Sequence, residues 1–149
     1  DKPIEIEADT VTSNDAKKTS IYSGNVVLTQ GTLRIKGDKL VVREDTAGFQ
    51  HGTSYGNPTS FRQKREGKDE YIEGSGQRIE YDGRMDKVQL FTKAWVKRGN
   101  DIVHGDYIMY DANAEYSEVI GGGPKSATPA TPGGRVKAII QPKNQPGSK

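Results

Sequence analysis

Cysteine is absent from the 149 residues, which excludes disulfide staples and thiol catalysis and leaves the redox compartment open. Apolar residues are scarce, at 32% against the roughly 45–50% of an ordinary globular domain, a share that also counts glycine. No apolar run approaches the ~18 residues of a membrane span. No amphipathic stretch continues beyond a turn or two of helix, so no large helix-covered core is expected. Histidine occurs twice, at His51 and His104, and no acidic cluster has metal-ligand spacing. There is no Walker A pattern, no nucleophile elbow and no triad, so neither a metal nor any cofactor is expected and the chain does not read as an enzyme. Asp38 and Asp106 could in principle act as an acid–base pair, but beside Gly37 and Gly105 they read as turn residues.

Excess charge of one sign is also missing. Lys and Arg number 22 and Asp and Glu 20, a net charge of +2 that gives no argument for nucleic acid. The distribution is less even. Residues 121–149 hold five basic residues (Lys125, Arg135, Lys137, Lys143, Lys149) and no acid, which leaves 17 basic and 20 acidic residues in 1–120. A basic tail of this kind is either a solvated terminus or a contact for an anionic partner. The chain starts at Asp1 with neither an initiator Met nor a signal peptide, as a processed or a trimmed chain would, which leaves export open.

What the sequence does have is alternation. Ile4-Glu5-Ile6-Glu7, Leu33-Arg34-Ile35-Lys36 and Ile79-Glu80-Tyr81-Asp82 each put apolar side chains on one face and charges on the other. Turn signals punctuate these runs at Ser13-Asn14-Asp15, Gly24-Asn25, Gly31, Gly48, Gly56-Asn57-Pro58, Gly67, Asp82-Gly83 and Gly99-Asn100-Asp101. Glycine, 18 of 149, is common. A spacing of about 8–12 residues between turns is the all-β rhythm.

An internal repeat underlies the strands. Residues 24–42 align with 92–110 at a constant offset of 68 and without gaps. Gly31 meets Gly99, Gly37 meets Gly105, and Asp38 meets Asp106; Leu28, Ile35 and Leu40 meet Val96, Val103 and Ile108. A small residue recurs at Ala8, Gly37, Gly76 and Gly105, with an apolar residue three places on. A small residue inside a strand marks a bulge, a bend or a close backbone approach. Four of them predict a sheet folded over in repeating corners: a β-roll, a jelly roll or a curved two-layer slot. Beyond Ile120, six Gly and five Pro make 121–149 a linker or loop, with 136–140 as a candidate last edge strand.

With no helix to cover the apolar faces, two sheet layers must either seal together or admit a ligand between them. The expected inward residues are Ile4, Ile6, Val26, Leu28, Leu33, Ile35, Leu40, Val42, Phe61, Ile79, Tyr81, Val96, Val103, Ile108 and Tyr110. Ile4, Ile6 and Phe61 are expected at the ends of the slot. Ala94-Trp95-Val96 leaves the face of Trp95 open.

Several segments together resemble the LptA/OstA-like family. They are Pro3-Ile4-Glu5-Ile6-Glu7-Ala8-Asp9, Tyr22-Ser23-Gly24-Asn25-Val26, Gln30-Gly31-Thr32-Leu33-Arg34-Ile35-Lys36-Gly37-Asp38, Tyr55-Gly56-Asn57-Pro58-Thr59-Ser60-Phe61 and Gly105-Asp106. The resemblance covers about residues 3–120 and extends weakly into 135–141. It implies a twisted open β-jelly roll over 1–120, a periplasmic location, and lipopolysaccharide held through its lipid A acyl chains. It also implies a bridge between inner and outer membranes, built by end-to-end assembly. The partners would be further copies and the LptC-like inner-membrane and LptD-like outer-membrane jelly-roll domains. The inward residues above, apart from Val103, are then the expected lipid-binding residues. Thr92-Lys93-Ala94 departs from the family's Gly-Asn turn, so the corner there is expected to be built differently. Two alternatives remain at this point: an LptC- or LptD-like domain of the same bridge, or a β-helical glycan-binding or structural module. The second would need stacked aromatics, and the seven Tyr do not recur in register.

Overall fold

The structure, a computed structural model, describes residues 3–46, 50–65, 67, 69–82, 87–111, 116–121 and 135–140. The turn signals at Gly48 and Gly83, and most of the basic tail, lie outside these residues. Every regular element among them is a strand: β1 (Ile4–Glu7), β2 (Thr10–Asn14), β3 (Thr19–Gln30), β4 (Leu33–Glu44), β5 (Gln50–Lys64), β6 (Tyr71–Asp82), β7 (Lys87–Arg98), β8 (Asp101–Asp111), β9 (Tyr116–Ile120) and β10 (Lys137–Ile139). All pair antiparallel in one sheet ordered β1-β3-β4-β5-β6-β7-β8-β10, with β2 beside β3 and β9 beside β8. The all-β class expected from alternation and the open sheet implied by the resemblance are both observed.

The long strands run past the signals that were expected to end them. Gly24-Asn25 and Gly56-Asn57-Pro58 sit inside β3 and β5, where the pairing register shifts. The Asn57–Pro58 peptide is cis. Further shifts fall between Lys36 and Lys39, Ser75 and Arg78, and Phe91 and Ala94. Because adjacent strands bulge at the same level, the bulges form a seam that crosses the whole sheet. A bulge bends its strand and raises the local twist, so a line of them folds the sheet instead of terminating it. Each long strand therefore contributes one half to each of two layers. β1 and β10 edge the first layer, and β2 and β9 edge the second.

Small residues at the seam are there for want of space. A Cβ on Gly37 would lie 2.4 Å from Ser54 Oγ, and one on Gly105 would lie 2.6 Å from Val119 Cγ1. The buried hydroxyls nearby are satisfied: Ser54 and Thr59 share a 2.6 Å hydrogen bond, and Thr59 donates to the Lys36 carbonyl at 2.7 Å.

The repeat extends further than the sequence alignment. Ile4 pairs with Gln30 as Ile72 pairs with Arg98, and Thr10 pairs with Ser23 as Arg78 pairs with Phe91, all at the same offset of 68. β6 is thus β1 and β2 run together. On the far side, β5 lies against β4 in the register in which β9 and β10 lie against β8. The molecule is two copies of one unit: β1-β2, β3, β4, β5, and then β6, β7, β8, β9-β10. The hairpin glycines agree, with φ 61° at Gly31 and 63° at Gly99, each opening a two-residue turn.

One expectation is corrected here. Thr92-Lys93 does not build a different corner: with φ 70° and 52° it copies Gly24-Asn25, at 85° and 48°. The neighbouring strands impose the bulge, and two residues with side chains accept it. The Lys93 amide donates to buried Asp106 Oδ1 at 3.2 Å. In the first unit Asn25 Nδ2 donates to Asp9 Oδ2 at 3.1 Å.

Candidate functional site

Side-chain alternation gives each layer one inward row of residues that crosses all eight of its strand positions. In the first layer the row is Ile6, Leu28, Ile35, Phe61, Gly74, Val96, Val103 and Ala138. In the second it is Val11, Tyr22, Leu40, Ser54, Ile79, Leu90, Ile108 and Val119. At about 4.8 Å per strand, each row is roughly 34 Å long. The rows face one another. A Cβ on Gly74 would lie 3.0 Å from Leu90 Cδ2, and one on Gly52 would lie 4.0 Å from Leu28 Cδ1. The Tyr81 hydroxyl donates to Gln30 Oε1 across the gap.

The structure brings the expected lipid-binding residues to this one interior. Val26, Leu28, Leu33, Ile35, Leu40, Phe61, Ile79, Tyr81, Ile108 and Tyr110 are buried in a single cluster, and Ile4, Ile6, Val42 and Val96 pack against it half-exposed. Phe61 is a correction. It is not at an end of the slot but in mid-sheet between Ile35 and Gly74, 2% exposed. Trp95 faces outward, because its neighbours Ala94 and Val96 both turn to the core. Sequence reasoning missed Ile72, Val88, Leu90 and Ala94 in the cluster, and Tyr22 and Val119 against it. Val88-Gln89-Leu90 carried a usable alternation signal.

The middle of the interior is closed, and its ends are open. Ile79 and Leu90 are 0% exposed. At the β1–β2 end a cavity of about 470 Å³ has Ile4, Ile6, Tyr22 and Val42 as its floor. Its rim carries Ser13, Asn14, Asp15, Lys18, Ser20 and Glu44. At the β9–β10 end a smaller cavity of about 80 Å³ is lined by Ile72, Val96, Val103, Ile108, Tyr110 and Val119, with Arg98, Asp101 and Ser117 beside them. The larger cavity is mostly polar-walled around its apolar patch and the smaller one mostly apolar, so at both ends apolar and polar groups meet, as an amphiphile's tail and headgroup require.

The polar groups elsewhere do not assemble a reaction centre. His51 lies 3.3 Å from Asp45 and 3.6 Å from Asp82 on the second layer, whereas His104 pairs with Trp95 on the first. Asp38 is exposed and Asp106 buried, on separate strands. Among the described residues no group of three or more His, Cys, Asp or Glu is placed to hold a metal ion. No described helix is long and apolar enough to cross a membrane.

Comparison with known proteins agrees with this geometry. The chain is 30% identical to the lipopolysaccharide export system protein LptA of Escherichia coli K12, covering 99% of this chain and 78% of that protein. It is 27% identical to the lipopolysaccharide export system protein LptH of Pseudomonas aeruginosa, covering 97% of this chain and 82% of that one. The crystal structure of LptH, described as the LptA-homologous periplasmic component of the conserved lipopolysaccharide transport device, superposes with a TM-score of 0.85. That match is 27% identical and covers 95% of this chain and 96% of LptH. The family model for the LptA/(LptD N-terminal domain) LPS transport protein matches residues 5–116. The chain belongs to this family of transport proteins, which are not enzymes.

Proposed function

We propose that the protein works in the periplasm as a segment of the lipopolysaccharide transport bridge between inner and outer membranes, receiving lipid A acyl chains between its two layers. The observation that carries this is the apolar interior, which spans the molecule and opens at both ends. The relatives named above are lipopolysaccharide export proteins of similar length, and that supports the reading.

Energetics explain why such a shelter is needed. Each acyl CH₂ exposed to water costs about 0.8 kcal/mol, so a 12-carbon chain costs roughly 10 kcal/mol. A multi-chain lipid does not cross an aqueous gap with that surface uncovered. The ten closely buried residues of the expected set, from Val26 to Tyr110, would meet lipid only when the layers part. Ile4, Ile6, Val42 and Val96 would meet it first. End-to-end stacking follows from the edges. Among the described residues, β1 and β2 at one end and β9 and β10 at the other each have one strand neighbour, which leaves a row of main-chain donors and acceptors for another strand. The same edges are where LptC-like and LptD-like domains would join.

The test is photocrosslinking of purified lipopolysaccharide to probes at Ile6, Val42, Val96 and Leu90, with outward Lys36 as control. Strong adducts at Ile6, Val42 and Val96, weaker ones at Leu90 and none at Lys36 are expected. Equal labelling at Lys36, or none at any inward position, would make the interior an ordinary sealed core and remove the transport reading.

A further inference from the structure

The seam joins the two layers along one side of the interior, and strand ends bound the side opposite. Layers joined along one side part by hinging there and separating at the other. Gln30 is the last residue of β3 and Tyr81 the last but one of β6. Gln30 stands four residues beyond the register shift at Ser23/Val26, and Tyr81 three beyond the shift at Ser75/Arg78. At about 3.4 Å per residue they lie roughly 14 and 10 Å from the seam. The hydrogen bond from the Tyr81 hydroxyl to Gln30 Oε1 therefore crosses the interior near its free margin. An opening about a hinge moves the far margin most, so a bond placed there opposes it with the longest lever.

The tandem repeat shows the same places without that bond. At the offset of 68, Ile72 pairs with Arg98 as Ile4 pairs with Gln30, and Ser13 pairs with Ser20 as Tyr81 pairs with Val88. Arg98 is thus the counterpart of Gln30, and Ser13 that of Tyr81. Ser13 lines the cavity at the β1–β2 end and Arg98 the cavity at the β9–β10 end. Where the repeat carries Ser and Arg the interior is open. Where it carries Tyr and Gln it is closed, with Tyr81 5% and Ile79 and Leu90 0% exposed.

We infer that the Tyr81–Gln30 hydrogen bond is a latch that sets how readily the two layers part to admit an acyl chain. The inference rests on the transport reading above and names the pair that controls entry to its site. Opening the latch leaves a donor and an acceptor at the edge of an apolar interior, where a polar group without a partner is costly. A lipid whose acyl chains are rooted in ester, amide or hydroxyl groups replaces both partners as it enters, and a bare hydrocarbon does not. A ligand shifts such an opening only through its difference in affinity for the two states. The latch therefore favours an amphiphile over a plain chain.

The test compares the rate of lipopolysaccharide photocrosslinking at Leu90, behind the latch, with the rate at Ile6, in the open end cavity. Tyr81→Phe keeps the ring and removes the hydroxyl; Gln30→Leu removes the acceptor. One hydrogen bond shifts an equilibrium about two- to tenfold, so each variant should raise the Leu90-to-Ile6 ratio by about that factor. The double variant should go no further than either single one, since both remove the same bond. Tyr107→Phe is the control. Tyr107 is 2% exposed, and its hydroxyl donates to Gln89 at 2.8 Å on the outer side of the second layer. Its loss should lower the urea midpoint and leave the ratio unchanged. Finally, Gln30→Cys/Tyr81→Cys is joined by a short reducible thiol crosslinker, in a chain that offers it no other cysteine. Labelling at Leu90 should be lost in the joined form and return on reduction, with labelling at Ile6 constant. An unchanged ratio in both single variants, or labelling at Leu90 that persists in the joined form, overturns the latch and leaves the transport reading standing. Rises that add in the double variant also overturn it. No labelling at Ile6 or Leu90 in any form overturns the latch and the transport reading together.

Discussion

Thr92 is the residue whose conformation costs most at the seam. It holds φ 70°, where its counterpart Gly24 is free to do so and a β-branched side chain is not. A left-handed conformation costs an L-residue roughly 1–2 kcal/mol, partly offset on substitution by the greater freedom of glycine in the unfolded chain. Thr92→Gly should therefore raise stability by about 0.5–1 kcal/mol, seen as a higher urea midpoint at unchanged slope. Gly37→Val should do the reverse, losing about 2–3 kcal/mol in the same titration. Its side chain would meet Ser54 Oγ and the Tyr55 carbonyl, at 2.4 and 2.9 Å from Cβ. The crowding at Gly37 was legible in sequence because a small residue, Gly105, recurs at the 68-residue offset of the repeat. The conformation of Thr92-Lys93 was not, because neighbouring strands impose it and neither residue type signals it.

At the scale of the strand, the two residues most plainly missed from the core share a cause. Leu90 precedes Phe91, and Ile72 follows Tyr71, so each alternation is masked by an aromatic on the opposite face. Those aromatics are covered from outside: the Arg78 guanidinium lies 4.0 Å from the Phe91 ring centre, and Arg62 lies 3.9 Å from that of Tyr71. A guanidinium over a ring lets an outward aromatic pass for a core one when only the sequence is read. Leu90→Ala, which empties a wholly buried position opposite Gly74, should lose about 2–5 kcal/mol in urea unfolding. Strand protection should follow position in the sheet. Amides of β5 and β6 should exchange slowest by mass spectrometry, and those of β1, β2 and β10 fastest, because among the described residues each edge strand is paired on one side only. Fast exchange in β6 would mean that the two units separate before the edges fray. The alternating runs in β1, β4 and β6 were readable from composition and period. The length of the strands was not, since Gly24-Asn25 and Gly56-Asn57-Pro58 read as chain reversals and prove to be corners within a strand.

For the whole molecule, a chain ending after Gly121 would lose β10 while keeping every strand of the second layer. It should retain its β-sheet circular dichroism and fall to the monomer mass in light scattering at concentrations where the full chain associates. Loss of the spectrum would instead make β10 part of the folding core. The alternating pattern and repeat announced a two-layer fold, but the closed centre depends on how near the layers approach, which no single strand encodes. The tandem unit has a further consequence for anything travelling along the interior. A track is smooth to its traffic when the joints between rails keep the same gauge as the rails themselves. Here the two tandem units carry the same apolar rows at the same strand spacing on either side of the midline. Along those rows a lipid would find no marker of where one unit ends and the next begins. Direction would then be imposed at the termini of the line, by loading at one end and removal at the other.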